Sequence, residues 1–140
     1  MSERKKFDKE LFAKYDKIAR DATTSHLQDR GYTVIANPDK YAQDLIAYMP
    51  IDNYEFDVEC EIKRLWKSDS FPFDSVQLPQ RKQKFFNGRT RFFIWNEPLT
   101  KAATFWDYNI NDLEPVEVRN KYLAKDEYFF QVPLDRVEFV

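Results

Sequence analysis

The chain has 140 residues and a formal net charge of −2. This length is typical of one domain and lets a core form without disulfides or a structural metal. The single cysteine excludes an internal disulfide, and no apolar run resembles a signal peptide or a membrane span. We therefore expect one cytoplasmic domain over residues 1–140, with no membrane partner. Glycine occurs only 2 times, which disfavours the glycine-rich phosphate loops of ATP- and NAD-dependent enzymes.

Positive charge is concentrated in the middle of the chain. Nine Lys or Arg residues and three Asp or Glu residues lie between Lys63 and Lys101, whereas the remaining residues are acidic on balance. A positive surface beside a carboxylate site suits the hydrolysis of a polyanion, and a charge run is also typical of a solvated surface. Charge alone leaves both interpretations open.

The first half of the chain has the pattern of a helix followed by strands. Apolar residues recur with a helical period over residues 7–30, and Gly31 stands where a left-handed residue ends a helix. Residues 32–36 and 41–48 have strand patterns on either side of a turn signal at 37–39. Asp44 falls in the second strand and Asp39 in the turn. We favour Asp44 as an upstream site carboxylate because it lies within a strand.

The next strand pattern, over residues 54–66, carries the most informative spacing. Its apolar and charged residues alternate, so a strand here turns one face to a core and aligns its charges on the other. Glu61 and Lys63 are two residues apart, about 6.6 to 6.8 Å along a strand, and project from the same face. This pair suits the binding of one phosphate and one metal ion, and it is also compatible with an ordinary exposed strand surface.

The second half of the chain predicts one more helix and several strands. Asp74 or Ser75 is a suitable cap for a helix that runs to about residue 87, with Pro79 in its first turns and Gln80 after it. Residues 89–95, 104–108 and 127–132 have strand patterns, whereas residues 110–124 are weakly patterned.

The order of these elements, with Asp44 followed by Glu61-Ile62-Lys63, resembles the core of the PD-(D/E)XK nuclease superfamily. The runs at 70–80 and 128–133 resemble RecU-type Holliday junction resolvases, and the similarity covers residues 21–140. Gln43 stands where the superfamily has proline. The resemblance implies an α/β, restriction-endonuclease-like fold whose central mixed β-sheet is flanked by helices. The chain length is typical of a small phage or mobile-element nuclease.

The resemblance also implies a set of site residues. Asp44, Glu61 and the backbone carbonyl of Ile62 would bind Mg²⁺, with Mn²⁺ as a substitute, because hard cations prefer oxygen ligands. Lys63 would orient or deprotonate the attacking water and stabilise the phosphate. The other candidates are Gln80 as a catalytic group, Asp21 and Glu59 as additional acids, and Arg81, Lys82 and Lys84 as nucleic-acid contacts.

We therefore predict a Mg²⁺-dependent DNA endonuclease that acts on branched or recombination intermediates, with a homodimer as a candidate assembly. The alternative is a noncatalytic nucleic-acid-binding or assembly protein that keeps the nuclease-like fold. Cys60 is interpreted as a buried core residue, and His26 as a packed or surface residue in preference to a ligand. Trp66 is more typical of a core residue, although its position after the site also suits base stacking.

Overall fold

A six-stranded mixed sheet forms the centre of the fold in the computed structural model, which describes residues 9–118 and 127–140. The bounds of the elements are α1 Lys9–Asp29, β1 Thr33–Ala36, β2 Leu45–Met49, β3 Tyr54–Lys63, β4 Ser75–Pro79, β5 Thr90–Asn96, β6 Ala102–Trp106, β7 Val116–Val118, β8 Glu127–Pro133 and β9 Glu138–Phe139. The strand order of the central sheet is β1-β2-β3-β5-β6-β9, in which β3 and β5 are parallel and the other neighbours are antiparallel. A second sheet has the order β4-β8-β7.

Helix α1 packs on one face of the six-stranded sheet. Its buried stripe is Ala19, Thr23 and Leu27, residues four positions apart that lie on one side of a helix. The indole of Trp95 in β5 donates a hydrogen bond to the Thr23 hydroxyl at 2.9 Å, which attaches the helix to the sheet. Gly31 ends the helix with φ of 92°, so the predicted left-handed residue is confirmed.

The alternation predicted for β3 is confirmed. Phe56, Val58 and Cys60 turn to α1 and contribute to a set of buried residues that we call the helix-side core. Its members are Ala19, Leu27, Leu45, Ala47, Phe56, Val58, Cys60, Phe93, Trp95 and Ala102. Glu59 and Glu61 project from the opposite face, where the second sheet lies.

The second sheet covers the other face through a separate set of buried residues, the sheet-side core. Its members are Trp66, Val76, Leu78, Phe85, Phe92, Ile94, Ala103, Phe105, Ile110, Phe130 and Val132. Trp66 is fully buried, and its indole N–H donates to the Ser70 carbonyl at 3.0 Å. The core interpretation of this tryptophan is therefore confirmed, and base stacking on it is excluded.

The helix predicted from residue 74 to 87 is wrong, because this segment forms β4 followed by a 3-10 helix, Gln80–Phe85. Val76 and Leu78 alternate with Gln77 and pair with Val132 and Phe130 of β8. Burying each of these apolar side chains contributes about 1.5–3 kcal/mol, whereas ordinary residues differ in helix propensity by up to about 0.7 kcal/mol. Tertiary burial therefore outweighs the local helix signals.

The other predicted strands are present, but β2 begins at Leu45, so the prediction that Asp44 lies within a strand is wrong. Strand β3 ends at Lys63 instead of residue 66, β6 begins at Ala102, and β7 and β9 were not predicted. The predicted fold class, a mixed α/β protein with a central mixed sheet, is confirmed. Within the described residues one face of that sheet carries α1 and the other carries the second sheet, instead of α-helices on both. The described part of the chain contains no helix that is both long and apolar enough to cross a membrane.

Candidate active site

The candidate site lies beside the second half of β3. Strand β2 pairs with β3 from Met49 opposite Tyr54 to Leu45 opposite Val58, whereas the parallel pairing with β5 continues to Lys63. Residues 59–63 therefore extend beyond the paired part of β2. Sequence order places Asp44 immediately before β2, at this point of the sheet.

Asp44 contacts the β3 backbone directly. Its Oδ2 accepts a hydrogen bond from the Cys60 N–H at 3.1 Å, and the Cys60 thiol lies 3.8 Å from the same oxygen. Glu59 and Glu61 precede and follow Cys60 in β3, and the charge of Asp44 acts on the pKa of both, so the three carboxylates lie near one another. Asp39, the rival to Asp44, lies in an exposed turn, where its Oδ1 accepts the Tyr41 N–H at 3.0 Å.

The three carboxylates are poorly solvated. Burial raises the pKa of Asp44, Glu59 and Glu61, and the Asp44 carboxylate adds to the increase at both glutamates. The pKa of Glu59 is raised to about 7. Desolvation and repulsion between like charges both favour the neutral acids, and a bound cation would relieve both effects. Such perturbed carboxylates are typical of functional sites and also occur in buried ion-pair networks.

Lys82 provides the cation nearest to these acids. Its Nζ lies 2.7 Å from Glu59 Oε2, and the Lys82 and Glu59 side chains are only 20% and 5% exposed. Burial opposes the charge on Lys82, but the carboxylates of Glu59, Glu61 and Asp44 outweigh it and raise the pKa of this lysine. Lys82 was predicted to contact nucleic acid, whereas the structure places its ammonium against Glu59, within the cluster formed by Asp44, Glu59 and Glu61.

Lys63 ends β3 on the same face as Glu61. Its Nζ lies 4.7 Å from the centre of the Phe73 ring, and its charge acts to lower the pKa of Glu61. Both side chains are half-buried, so the pair is less exposed than an ordinary solvated strand surface. The structure therefore keeps Asp44, Glu61 and Lys63 in one neighbourhood.

The other predicted site residues lie at different depths. Gln80 is exposed at the start of the 3-10 helix, and Arg81 and Lys84 are exposed further along it. Ile62 turns its side chain toward the helix-side core. Asp21 lies on the outer surface of α1, where its carboxylate is 67% exposed and pairs with Lys17 at 2.7 Å. The structure does not bring Asp21 near the cluster of Asp44, Glu59 and Glu61.

Asp16 is the helix acid that sequence reasoning missed. It acts to raise the pKa of Asp44, and it pairs with Arg20 at 3.3 Å. The signal was available in the helical period, because Asp16 extends the buried stripe of Ala19, Thr23 and Leu27 by one turn. Asp21 is five residues further along, which places it on a different side of the helix.

The donor set suits a hard divalent cation. The described residues contain no group of three or more His, Cys, Asp or Glu side chains that could hold a metal ion. Mg²⁺ does not need such a group, because it keeps several water ligands and commonly uses one or two protein carboxylates. Asp44 and Glu61 are half-buried acids whose pKa is raised by burial, and both keep some exposure through which a hydrated cation could reach them, so they fit this requirement.

His26 is packed on the sheet away from these acids. Its ring lies 5.6 Å from the Phe93 ring and 6.0 Å from the Trp95 ring, measured between ring centres. Burial, followed by the charges of Arg30 and Arg91, lowers the pKa of His26 below 6.5. Of the two positions left open for this histidine, packed or on the surface, the structure shows the packed one.

We expect His26 to make the folded protein less stable in acid. Below a pH of about 6.5 the unfolded chain protonates this histidine while the folded state resists protonation, so the free energy of unfolding falls as the pH falls through this window. Urea denaturation at pH 7.5 and 5.5 should show a larger loss in wild type than in His26→Gln. The site carboxylates act in the opposite direction in both proteins and cancel in the difference. An equal pH dependence would contradict the prediction.

A solved structure has a similar fold. A bacterial homing endonuclease, I-Ssp6803I, superposes with a TM-score of 0.50 at 16% sequence identity, covering 81% of this chain and 71% of that one. Neither a protein-family model nor a curated protein matches the chain. The chain therefore shares the fold of this solved structure.

Proposed function

We propose that the protein is a metal-dependent DNA endonuclease that hydrolyses phosphodiester bonds, with Asp44 and Glu61 as its metal-binding carboxylates. The observation that carries the proposal is the hydrogen bond from Cys60 to Asp44, which joins the upstream carboxylate to the strand that bears Glu61 and Lys63. The fold supports the proposal, because a solved structure of similar fold is that of a homing endonuclease.

The chemistry of the proposal divides between the ion and the chain. Mg²⁺, or Mn²⁺ in its place, would when bound activate a water molecule and neutralise charge on the phosphate oxygens. Asp44, Glu61 and the Ile62 carbonyl would hold the ion. The ammonium of Lys63 would orient the attacking water and stabilise the additional negative charge that develops on the phosphate oxygens as the water oxygen bonds to phosphorus. Partial burial of Lys63 strengthens this interaction because fewer water molecules screen it.

The finer part of the proposal concerns family and substrate. The Asp44 and Glu61-Ile62-Lys63 pattern supports membership of the PD-(D/E)XK superfamily, and the resolvase-like runs at 70–80 and 128–133 support a branched DNA substrate. Asp16 replaces Asp21 as the proposed helix acid, because Asp16 acts on the pKa of Asp44.

A cleavage assay tests the function. Supercoiled, linear, single-stranded and four-way-junction DNA would each be incubated with the protein in Mg²⁺, Mn²⁺ or EDTA. We expect cleavage with either metal and none in EDTA, with the junction cut fastest. Binding of DNA without cleavage in either metal would contradict the nuclease proposal and favour the noncatalytic alternative.

Arg81 and Lys84 are the proposed phosphate contacts. Both side chains are exposed on the 3-10 helix Gln80–Phe85. The same helix carries Lys82, which contacts the cluster of three carboxylates through Glu59. The slope of log affinity against log salt is negative, and each lost phosphate contact should make it shallower by about 0.9 for duplex DNA. The variant Arg81→Ala with Lys84→Ala should therefore bind more weakly, with a slope less negative by about 1.8, and cleave at an unchanged rate once saturated.

Gel-shift titrations at several salt concentrations in Ca²⁺ would measure this slope. Lys17→Ala is the control, because Lys17 is a 70% exposed cation on the outer surface of α1. A double variant whose slope equals that of wild type would show that DNA approaches from another side.

A further inference from the structure

Lys82 occupies a position that the proposed reaction does not explain. The lysine lies on the 3-10 helix Gln80–Phe85, and its Nζ reaches Glu59 at 2.7 Å, with the Glu59 side chain 5% exposed. A contact this short between largely desolvated groups is a strong, charge-assisted hydrogen bond. Removing one partner of such a buried pair leaves the other charge uncompensated, so the pair resists separation.

The charges near Lys82 suggest why the pair is present. Asp44, Glu59 and Glu61 carry three negative charges when ionised, and Lys82 acts on the pKa of all three. One ammonium leaves two negative charges, which one divalent cation would neutralise. A second divalent cation would need a further carboxylate, and Glu59 is the buried candidate.

The other nearby cations have different surroundings. Lys63 lies over the Phe73 ring, and Arg20 pairs with Asp16 on α1. Arg81 is exposed to solvent. Among these groups in the described residues, Lys82 is the one paired directly with a carboxylate of the three-acid group.

We propose that Lys82 remains paired with Glu59 and thereby restricts the site to one divalent cation. Its ammonium occupies the Glu59 oxygen that a second ion would need as a ligand, since two-metal sites hold their ions about 3.5–4 Å apart and share nearby carboxylates. Lys82 is in this sense a positioning residue that keeps Glu59 from binding metal. This inference rests on the proposed function, because it requires Asp44 and Glu61 to be the metal ligands.

The stoichiometry of Mn²⁺ binding tests the inference. Free Mn²⁺ would be followed by electron paramagnetic resonance during titration of the protein without DNA. We expect one ion per chain in wild type and two in Lys82→Met, which releases Glu59. Adding Glu59→Gln to Lys82→Met should restore a value of one, because the released carboxylate is then missing.

Lys84→Met is the matched control. It removes a lysine two residues away, whose Nζ lies over the Phe85 ring at 5.0 Å and whose side chain is exposed. We expect one ion per chain in this variant. Two ions would mean that loss of a nearby positive charge suffices, which would overturn the specific role of Lys82.

The remaining outcomes separate this inference from the proposed function. Two ions in wild type, or one ion in folded Lys82→Met, would overturn the inference alone. If Lys82→Met failed to fold, the number of Mn²⁺ ions bound per wild-type chain would test the inference: one ion would agree with it, and two would overturn it. Absence of Mn²⁺ binding in wild type, or binding that survives Asp44→Asn unchanged, would overturn the proposed metal site and the inference with it.

Discussion

Asp44→Asn and Glu61→Gln are each expected to reduce cleavage by more than about a hundredfold. Loss of residues that only support metal ligands typically costs about 10–100-fold in metal affinity or activity, so loss of a ligand itself should cost more. Each substitution removes a metal-binding charge with little change in shape. The amide oxygen introduced by Asp44→Asn would still accept the hydrogen bond that the Asp44 carboxylate accepts from Cys60. Single-turnover cleavage in Mg²⁺ would measure the effect.

The same variants should fold at least as stably as wild type without metal. Burial raises the pKa of both acids, which means that the folded state disfavours their charges. Thermal denaturation in EDTA would therefore give an equal or higher midpoint. Asp39→Asn is the matched control, since this carboxylate lies in an exposed turn, and it should retain full activity. Equal activity in Asp44→Asn and wild type would mean that the metal site lies elsewhere.

Lys63→Ala is expected to reduce turnover by about 10²–10⁴-fold, the usual contribution of a positioned acid or base, while DNA affinity changes little. The physical reason is that Lys63 would act on the charge that develops at the reacting phosphate, and this charge is absent from the bound substrate. Its ammonium is half-buried over the Phe73 ring, near Glu61. Gel shifts in Ca²⁺ would give the affinity, and single-turnover cleavage in Mg²⁺ would give the rate.

Lys67→Ala is the control for this experiment. Lys67 lies four residues further along the chain, is 64% exposed and pairs with Glu97 at 3.1 Å. It should cleave at the wild-type rate. A Lys63 variant that loses affinity but keeps its turnover at saturating DNA would show that this lysine grips the substrate and takes no part in the chemistry.

Patterns between near neighbours in the chain were readable from the sequence. The two-residue period of β3 predicted which of its side chains enter a core, because strand geometry alone sends successive residues to opposite faces. Gly31 was identified as the helix end because few other residues adopt a positive φ readily. The pair Glu61 and Lys63 followed from the same two-residue spacing.

Several features depended on residues far apart in sequence. The local signals predicted a capped helix for the β4 segment. In the structure its Val76 and Leu78 pair instead with Val132 and Phe130 of β8, which lies far along the chain. A sheet partner at this distance leaves no signal in the local pattern, so the burial that favours the strand was invisible. The depth of each charged side chain was hidden for the same reason.

The sequence by itself determined the alternating central strand, the helix that packs against it, and the acids and lysine proposed for phosphodiester chemistry. Only the tertiary structure decided how the charges are partnered. In the folded protein Lys82 points inward and pairs with Glu59. Asp21 lies on the surface and pairs with Lys17, and Asp16 lies close enough to Asp44 to affect its pKa. The reason is that periodicity specifies the face on which a residue lies, whereas the partner of a charge depends on packing between elements that are distant in the chain.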